Sequence, residues 1–243
     1  MAWADRLDHV TEILHVSGDG GSTPPAWSHN TTPSNAMAGS GSGRYDAGTK
    51  DDSFLLQVRK SGGFAAARKS AVLSCGFKMN SSNIHYGVYL LRFQPANPAH
   101  GPADCDAADF TGGSGYILVV DRFGGLHLKR GPLVLGSAAL LWAPNFATFA
   151  PVLGATVNGF WLYRVVIFDT PGGDVGFLIY QSTDPAADVD NDAHWTLVQR
   201  FKDASAGKIT SAGLFGRGFY TGSGTNVPLY IDNSKDRPLE DAA

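Results

Sequence analysis

A chain of 243 residues with 43% apolar and 11% aromatic side chains, 30 glycines and 13 prolines has the composition of a globular protein made of short strands and turns, not of a disordered chain. Its formal charge of -3 is spread along the length with no run of lysine or arginine interleaved with aromatics, which argues against a nucleic-acid partner. Two cysteines, Cys75 and Cys105, are too few for a disulfide framework or a cysteine metal knuckle.

In chain order, Trp3, Leu7, Val10 and Leu14 follow a helical spacing, and the same residues fit an extended N-terminal arm. Asp5, Arg6, Asp8, Glu12 and Asp19 interrupt the apolar core that a secretory leader needs, so none is read there. Residues 17–49 are dense in Gly, Ser, Thr, Asn and Pro and read as loop, with Trp27 and Tyr45 as their main large side chains. Strands are expected at 53–59, 71–79 and 84–93, and Cys75 falls in the second as a buried thiol. The stretch 94–115, with three prolines and Cys105, reads as a long loop of the kind that forms a functional rim.

The most informative region runs from Gly115 to Phe201. Residues 115–130 form a strand, a reversal at Phe123-Gly124-Gly125 and a return strand, because adjacent glycines accept the positive φ of a tight turn. A second hairpin pairs 160–169 with 175–181 around Thr170-Pro171-Gly172-Gly173-Asp174, and 195–201 adds a third strand. Between them, 131–163 holds no charged residue, yet Pro132, Pro144, Asn145, Pro151, Gly154 and Asn158 break it too often for a membrane span. It reads instead as buried strands and interface loops. Strands at 212–216 and 228–232 close the chain.

The resulting fold class is all-β, a two-sheet antiparallel sandwich preceded by a short N-terminal helix or arm. The order of segments 115–130, 161–165, 177–180, 195–198 and 213–216, with the closing Tyr230-Ile231-Asp232-Asn233, resembles the laminin-G-like branch of the concanavalin-type jelly rolls. The division read from it is an arm and loop over 1–49, a jelly-roll domain over 50–235 and a polar tail over 236–243. The resemblance implies a recognition fold whose sugar-binding members use a sheet face or rim loops, and it extends to glycan-cleaving enzymes.

Glycoside hydrolysis needs two carboxyl groups flanking the scissile bond. Of 22 acidic residues only Glu12 and Glu240 are glutamate, and both lie outside every expected strand. The strand-borne aspartates Asp121, Asp169 and Asp232 sit beside turns, so the chain is read as non-enzymatic. His85, His127 and His194 share no metal-ligand spacing, and Gly39-Ser40-Gly41-Ser42-Gly43 lacks the strand-to-helix elbow of a nucleophile motif. Tyr86, Tyr89, Trp142, Trp161 and Trp195 lie near strands, where core packing competes with sugar stacking. The one cluster of hard oxygen ligands is Asp188, Asp190 and Asp192, and calcium is the cation it would take. Position six of an EF-hand loop begun at Asp188 would be Ala193 where glycine is required, so that motif is excluded.

A surface-recognition fold with no leader, no strand glutamates and an uncharged middle fits a bacteriophage or viral virion protein of the tail, fibre, spike or decoration type. That reading expects assembly in the host cytoplasm, contacts with other virion subunits, homo-oligomers and a cell-surface glycan. The alternatives are a stand-alone carbohydrate-binding adhesin and a glycanase using aspartates.

Overall fold

In the computed structural model, which describes residues 13–18, 26–35, 37, 42–46, 53–60, 64–79, 85–133, 145–149, 156, 158–221 and 228–239, two seven-stranded antiparallel sheets face one another. The strands, in chain order, are β1 (Ile13–Gly18), β2 (Ala26–Asn30), β3 (Ser42–Asp46), β4 (Ser53–Arg59), β5 (Ala71–Lys78), β6 (His85–Gln94), β7 (Ser114–Val120), β8 (Leu126–Gly131), β9 (Asn145–Phe149), β10 (Trp161–Asp169), β11 (Val175–Ser182), β12 (Thr196–Asp203), β13 (Leu214–Thr221) and β14 (Pro228–Pro238). A single α-helix, α1 (Ala107–Gly112), interrupts them among the described residues. Sheet 1 runs β1-β4-β13-β6-β7-β8-β9 and sheet 2 runs β12-β11-β10-β5-β14-β3-β2. This is the expected two-sheet jelly-roll sandwich.

Both hairpins form as the glycines predict. Val120 pairs with Leu126 across a turn in which Gly124 has φ +81, and Asp169 pairs with Val175 across a turn in which Gly173 has φ +76. Positive φ is strained for residues with a Cβ, so both turns depend on glycine.

The termini differ from expectation. The stretch 1–49 contributes three strands: β1 pairs with β4, and β2 and β3, short and polar, are recruited to the edge of sheet 2, β3 by β14 and β2 by β3, rather than formed by an apolar alternation of their own. Within β3 only Tyr45 enters the core, stacked on Phe219 at 5.4 Å between ring centroids. Leu14 belongs to strand β1, while Trp3, Leu7 and Val10 lie outside the described residues. At the other end β14 runs through Asp236 to Pro238, past the start of the expected polar tail, because a register shift after Asp232 lets it continue pairing with β5.

Alternation along the strands sends one set of side chains between the sheets. There Leu73, Phe77, Leu118, Val165, Phe177 and Phe219 are buried in one cluster, and Phe77 meets Tyr89 and Phe219 edge-on at 5.3 and 5.6 Å. Gly87 makes room for that ring: a Cβ there would lie 2.5 Å from it.

Three tyrosine hydroxyls tie the sheets together. Tyr89 of sheet 1 faces the carbonyl oxygens of Tyr163 and Cys75 in sheet 2, at 2.8 and 3.0 Å. Tyr163 of sheet 2 donates to Gly124 O in the sheet 1 hairpin turn at 2.6 Å. Tyr116 of sheet 1 donates to Asp203 Oδ2 of sheet 2 at 2.6 Å and accepts from Ile209 N at 3.0 Å. Burial raises the pKa of all three hydroxyls, so they act as neutral donors.

The face of sheet 1 turned away from sheet 2 is also buried. Phe54, Leu56, Val58, Val88, Leu90, Ile117 and Val119 pack with Phe93, Cys105, Phe110 and Leu133 in a second cluster. The stretch read as a functional rim loop is thus, in its second half, a plug. Asp109 organises it, accepting from His100 Nδ1 at 2.7 Å, Asn97 N at 3.0 Å and Asp106 N at 2.9 Å. Asp106 caps α1 reciprocally, completing a capping box. Cys75 and Cys105 are both buried free thiols. In the uncharged span, Leu133 N bonds Phe110 O at 2.9 Å and β9 pairs with β8, while 134–144, 150–155 and 157 lie outside the described residues.

Two predictions follow from this architecture. Tyr163→Phe removes the donor to Gly124 O and leaves that buried carbonyl short of a partner, so stability falls by about 1–2 kcal/mol in denaturant unfolding, with the fold retained. His85 is 1% exposed and neither ring nitrogen has a hydrogen-bond partner among the described residues, and burial lowers its pKa to about 4. Because the folded value lies below the ordinary ~6.5, the stabilisation is complete above pH 6.5 and declines as pH falls towards 4, by up to ~3 kcal/mol. The unfolding free energy of His85→Leu, followed over the same range, lacks that component and falls less steeply.

Candidate functional site

The acidic loop joins β11 to β12 and lies across the outer face of sheet 2. Asp184 opens it by accepting from Ala186 N at 2.8 Å, and Asn191 Oδ1 accepts from Ala193 N at 3.2 Å to cap a turn of 3-10 helix over Asp192–His194. Trp195 Nε1 donates to Asp188 O at 2.7 Å, closing the loop on itself. Underneath, Ala187 and Trp195 pack with Met37, Phe160, Leu162 and Tyr230.

The three expected calcium ligands do not converge. Asp188 pairs with Lys235 at 3.7 Å, Asp190 with Arg237, and Asp192 with Arg164 at 2.7 Å. Each carboxylate answers a different cation on β10 or β14, so the alternation that looked like a ligand set works as three clasps. Among the described residues, no group of three His, Cys, Asp or Glu side chains is placed to hold a metal ion. Arg164 is the central clasp. It is buried, its guanidinium lies over the rings of Tyr180 and Trp195 at 4.1 and 5.2 Å, and Nη1 donates to Val189 O at 2.8 Å.

The remaining carboxylates are dispersed. Asp121 spans its own turn, accepting from Phe123 N and Gly125 N at 2.8 Å each, and pairs with His127 at 3.3 Å. Burial works to raise its pKa, and the hydrogen bonds from His127 and these amides outweigh burial and hold it below the usual carboxylate value. Asp169 binds Arg92 at 2.7 Å at the far end of β10, on the order of 20 Å away by strand rise. Asp232 accepts from Met37 N at 2.7 Å on the outer face of sheet 2. Asp121 and Asp169 are thus too far apart for the pair, ~5–9.5 Å apart, that glycoside hydrolysis uses.

The aromatics divide as alternation predicts. Tyr89 is core, Tyr86 packs in the second cluster, and Trp161 supports the β7–β8 turn by donating Nε1 to Arg122 O at 3.2 Å. Trp142 lies outside the described residues. Sequence reading passed over Phe123 as a mere turn residue. It is 65% exposed at the tip of that turn, with the Arg122 guanidinium 4.7 Å from its ring centroid.

The two outer faces differ in kind. That of sheet 1 is closed by the plug, whereas on sheet 2 the surface beside the acidic loop is only half covered. Val166 pairs with Leu178 and Leu178 with Arg200; Phe168 pairs with Gly176 and Gly176 with Lys202. Val166, Phe168, Leu178, Tyr180 and Leu197 are all half-buried on this face, and Arg200 and Lys202 are exposed at its border. Lys202 pairs with Asp174 at 3.1 Å, and the Arg200 guanidinium has no ion-pair partner among the described residues. The strip is a shallow apolar floor with two aromatic rings, a cationic edge and an acidic wall.

No protein-family model matches the chain, and no curated protein matches it. Among solved structures it is similar to a protein of unknown function with a galectin-like fold from Bacillus subtilis, with a TM-score of 0.48 and 10% identity over 88% of this chain and 89% of that one. It is similar to the Emp46p carbohydrate recognition domain in its potassium-bound form, with a TM-score of 0.47 and 9% identity over 86% and 87% of the two chains. A legume lectin-like domain from Entamoeba histolytica gives a TM-score of 0.44 and 8% identity over 88% and 90%.

Proposed function

We propose that this chain is a non-catalytic recognition module that binds a glycan along the outer face of sheet 2, across β10, β11 and β12. The observation that carries the reading is the asymmetry of the sandwich: sheet 1 hides its outer face under apolar side chains, while sheet 2 leaves Val166, Phe168, Leu178 and Tyr180 half-exposed beside Arg200. Saccharides present apolar C–H faces and a fringe of hydroxyls. A flat apolar floor with two rings, Phe168 and Tyr180, and flanking charged donors and acceptors suits both surfaces at once. The dispersal of Asp121, Asp169 and Asp232 favours binding over cleavage. An assembly role in a virion would instead rest on the uncharged span 131–163.

A panel of immobilised polysaccharides is the test, read by retention of the purified chain with and without calcium. The expected result is selective retention that weakens about tenfold in Arg200→Ala and in Leu178→Ser, with no reducing ends released. Uniform passage through the whole panel overturns the reading, and release of reducing ends would make the chain a glycanase.

A further inference from the structure

We infer that the saccharide taken by the outer face of sheet 2 is acidic, bearing a carboxylate or a sulfate, with a sugar ring against Phe168 and its anionic group at the β12 border. The inference rests on the glycan-binding face proposed above and gives it a ligand class. Phe168 leans across its neighbour strand: a Cβ at Gly176 would lie 2.6, 2.8 and 3.0 Å from three atoms at the far end of the Phe168 ring, so only glycine leaves that ring room to lie along the sheet. The glycine is buried beneath it, and the ring itself is half-buried. Gly176 pairs in turn with Lys202, and Leu178 with Arg200, so the ring reaches towards the two exposed cations of β12. Phe168 and β12 stand two strand spacings apart, roughly 10 Å, a span that a short saccharide covers.

Charge at this border does not balance. Lys202 and Lys208 share the single carboxylate of Asp174, at 3.1 and 2.7 Å, and the Arg200 guanidinium has no ion-pair partner among the described residues. Asp169, next to Phe168, is already taken up by Arg92 at 2.7 Å and Lys69 at 3.9 Å. On the acidic loop each of Asp188, Asp190 and Asp192 has its own cation, so that wall offers Arg200 nothing. A neutral sugar would leave Arg200 to water. A carboxylate or sulfate accepts two parallel N–H groups from its planar guanidinium, while the apolar face of the same sugar covers Phe168.

The test is retention of the whole chain, at low and at moderate salt, on polygalacturonate and dextran sulfate. Each is set beside its neutral counterpart, fully methyl-esterified polygalacturonate and dextran. The expected result is retention about tenfold stronger on one acidic polymer than on its neutral counterpart, shrinking as salt is added, and the polymer preferred tells carboxylate from sulfate. Equal retention on acidic and neutral forms overturns the inference and leaves the glycan-binding face standing, whereas passage through every polymer overturns both. Polyglutamate retained as strongly as the acidic saccharides also overturns it, because charge without a sugar would then suffice. Arg200 is exposed, so Arg200→Glu leaves the core untouched; it should abolish the preference for the acidic form, and a preference that survives it overturns the inference. Gly176→Ala displaces the Phe168 ring without altering charge. It should weaken retention on acidic and neutral forms alike, severalfold and with their ratio unchanged, and full retention in that variant contradicts the placing of the sugar on Phe168.

Discussion

A buried tyrosine hydroxyl must find an acceptor, and in this sandwich the acceptors lie on the opposite sheet. Tyr89, Tyr116 and Tyr163 each reach across the core, to backbone carbonyls or to Asp203, so the offset of the two sheets is set at three points by hydrogen-bond geometry. Hydrophobic burial alone is non-directional and would tolerate one sheet sliding on the other. The tyrosines remove that freedom. Their effect extends to the surface: Tyr163 and Trp161 grip the turn carrying Phe123, so the exposed ring projects from a rigid support.

With the sheets registered, the fate of their outer faces follows from what the connections carry. The segment between β6 and β7 brings Cys105 and Phe110 onto sheet 1, and Asp109 holds the backbone that places them. The segment between β11 and β12 brings carboxylates to sheet 2, where Arg164, Lys235 and Arg237 receive them. The first covering is apolar. The second is ionic over a smaller apolar patch, and it stops short of Val166, Leu178 and Phe168. Exposed ion pairs contribute little each, and Asp192 is 87% exposed, so the loop is held chiefly by Trp195 and Ala187 beneath it and by the buried end of Arg164.

The central strands were legible because their residues carry the signal in themselves. Apolar runs such as 71–78 and 161–167 are flanked by turns, and Gly124 and Gly173 adopt the positive φ that glycine pairs announce. The edge strands were not. β2 and β3 are polar; what makes β3 a strand is the free edge of β14, a partner more than 180 residues away in sequence, and β2 pairs in turn with β3. The aspartates at 188, 190 and 192 were legible as a cluster, whereas the cations each of them pairs with stand at 164, 235 and 237. Nothing local announces such long-range pairing. The exposure of Phe123 likewise emerges only once the strands are paired.

The central claim is that one outer face is closed and the other open for recognition, and hydroxyl-radical footprinting read by mass spectrometry tests it most directly. The account predicts rapid oxidation of Phe168, Leu178 and Tyr180 and slow oxidation of Phe54, Leu90 and Phe110. Equal protection of both sets would contradict it, because sheet 2 would then be covered as fully as sheet 1.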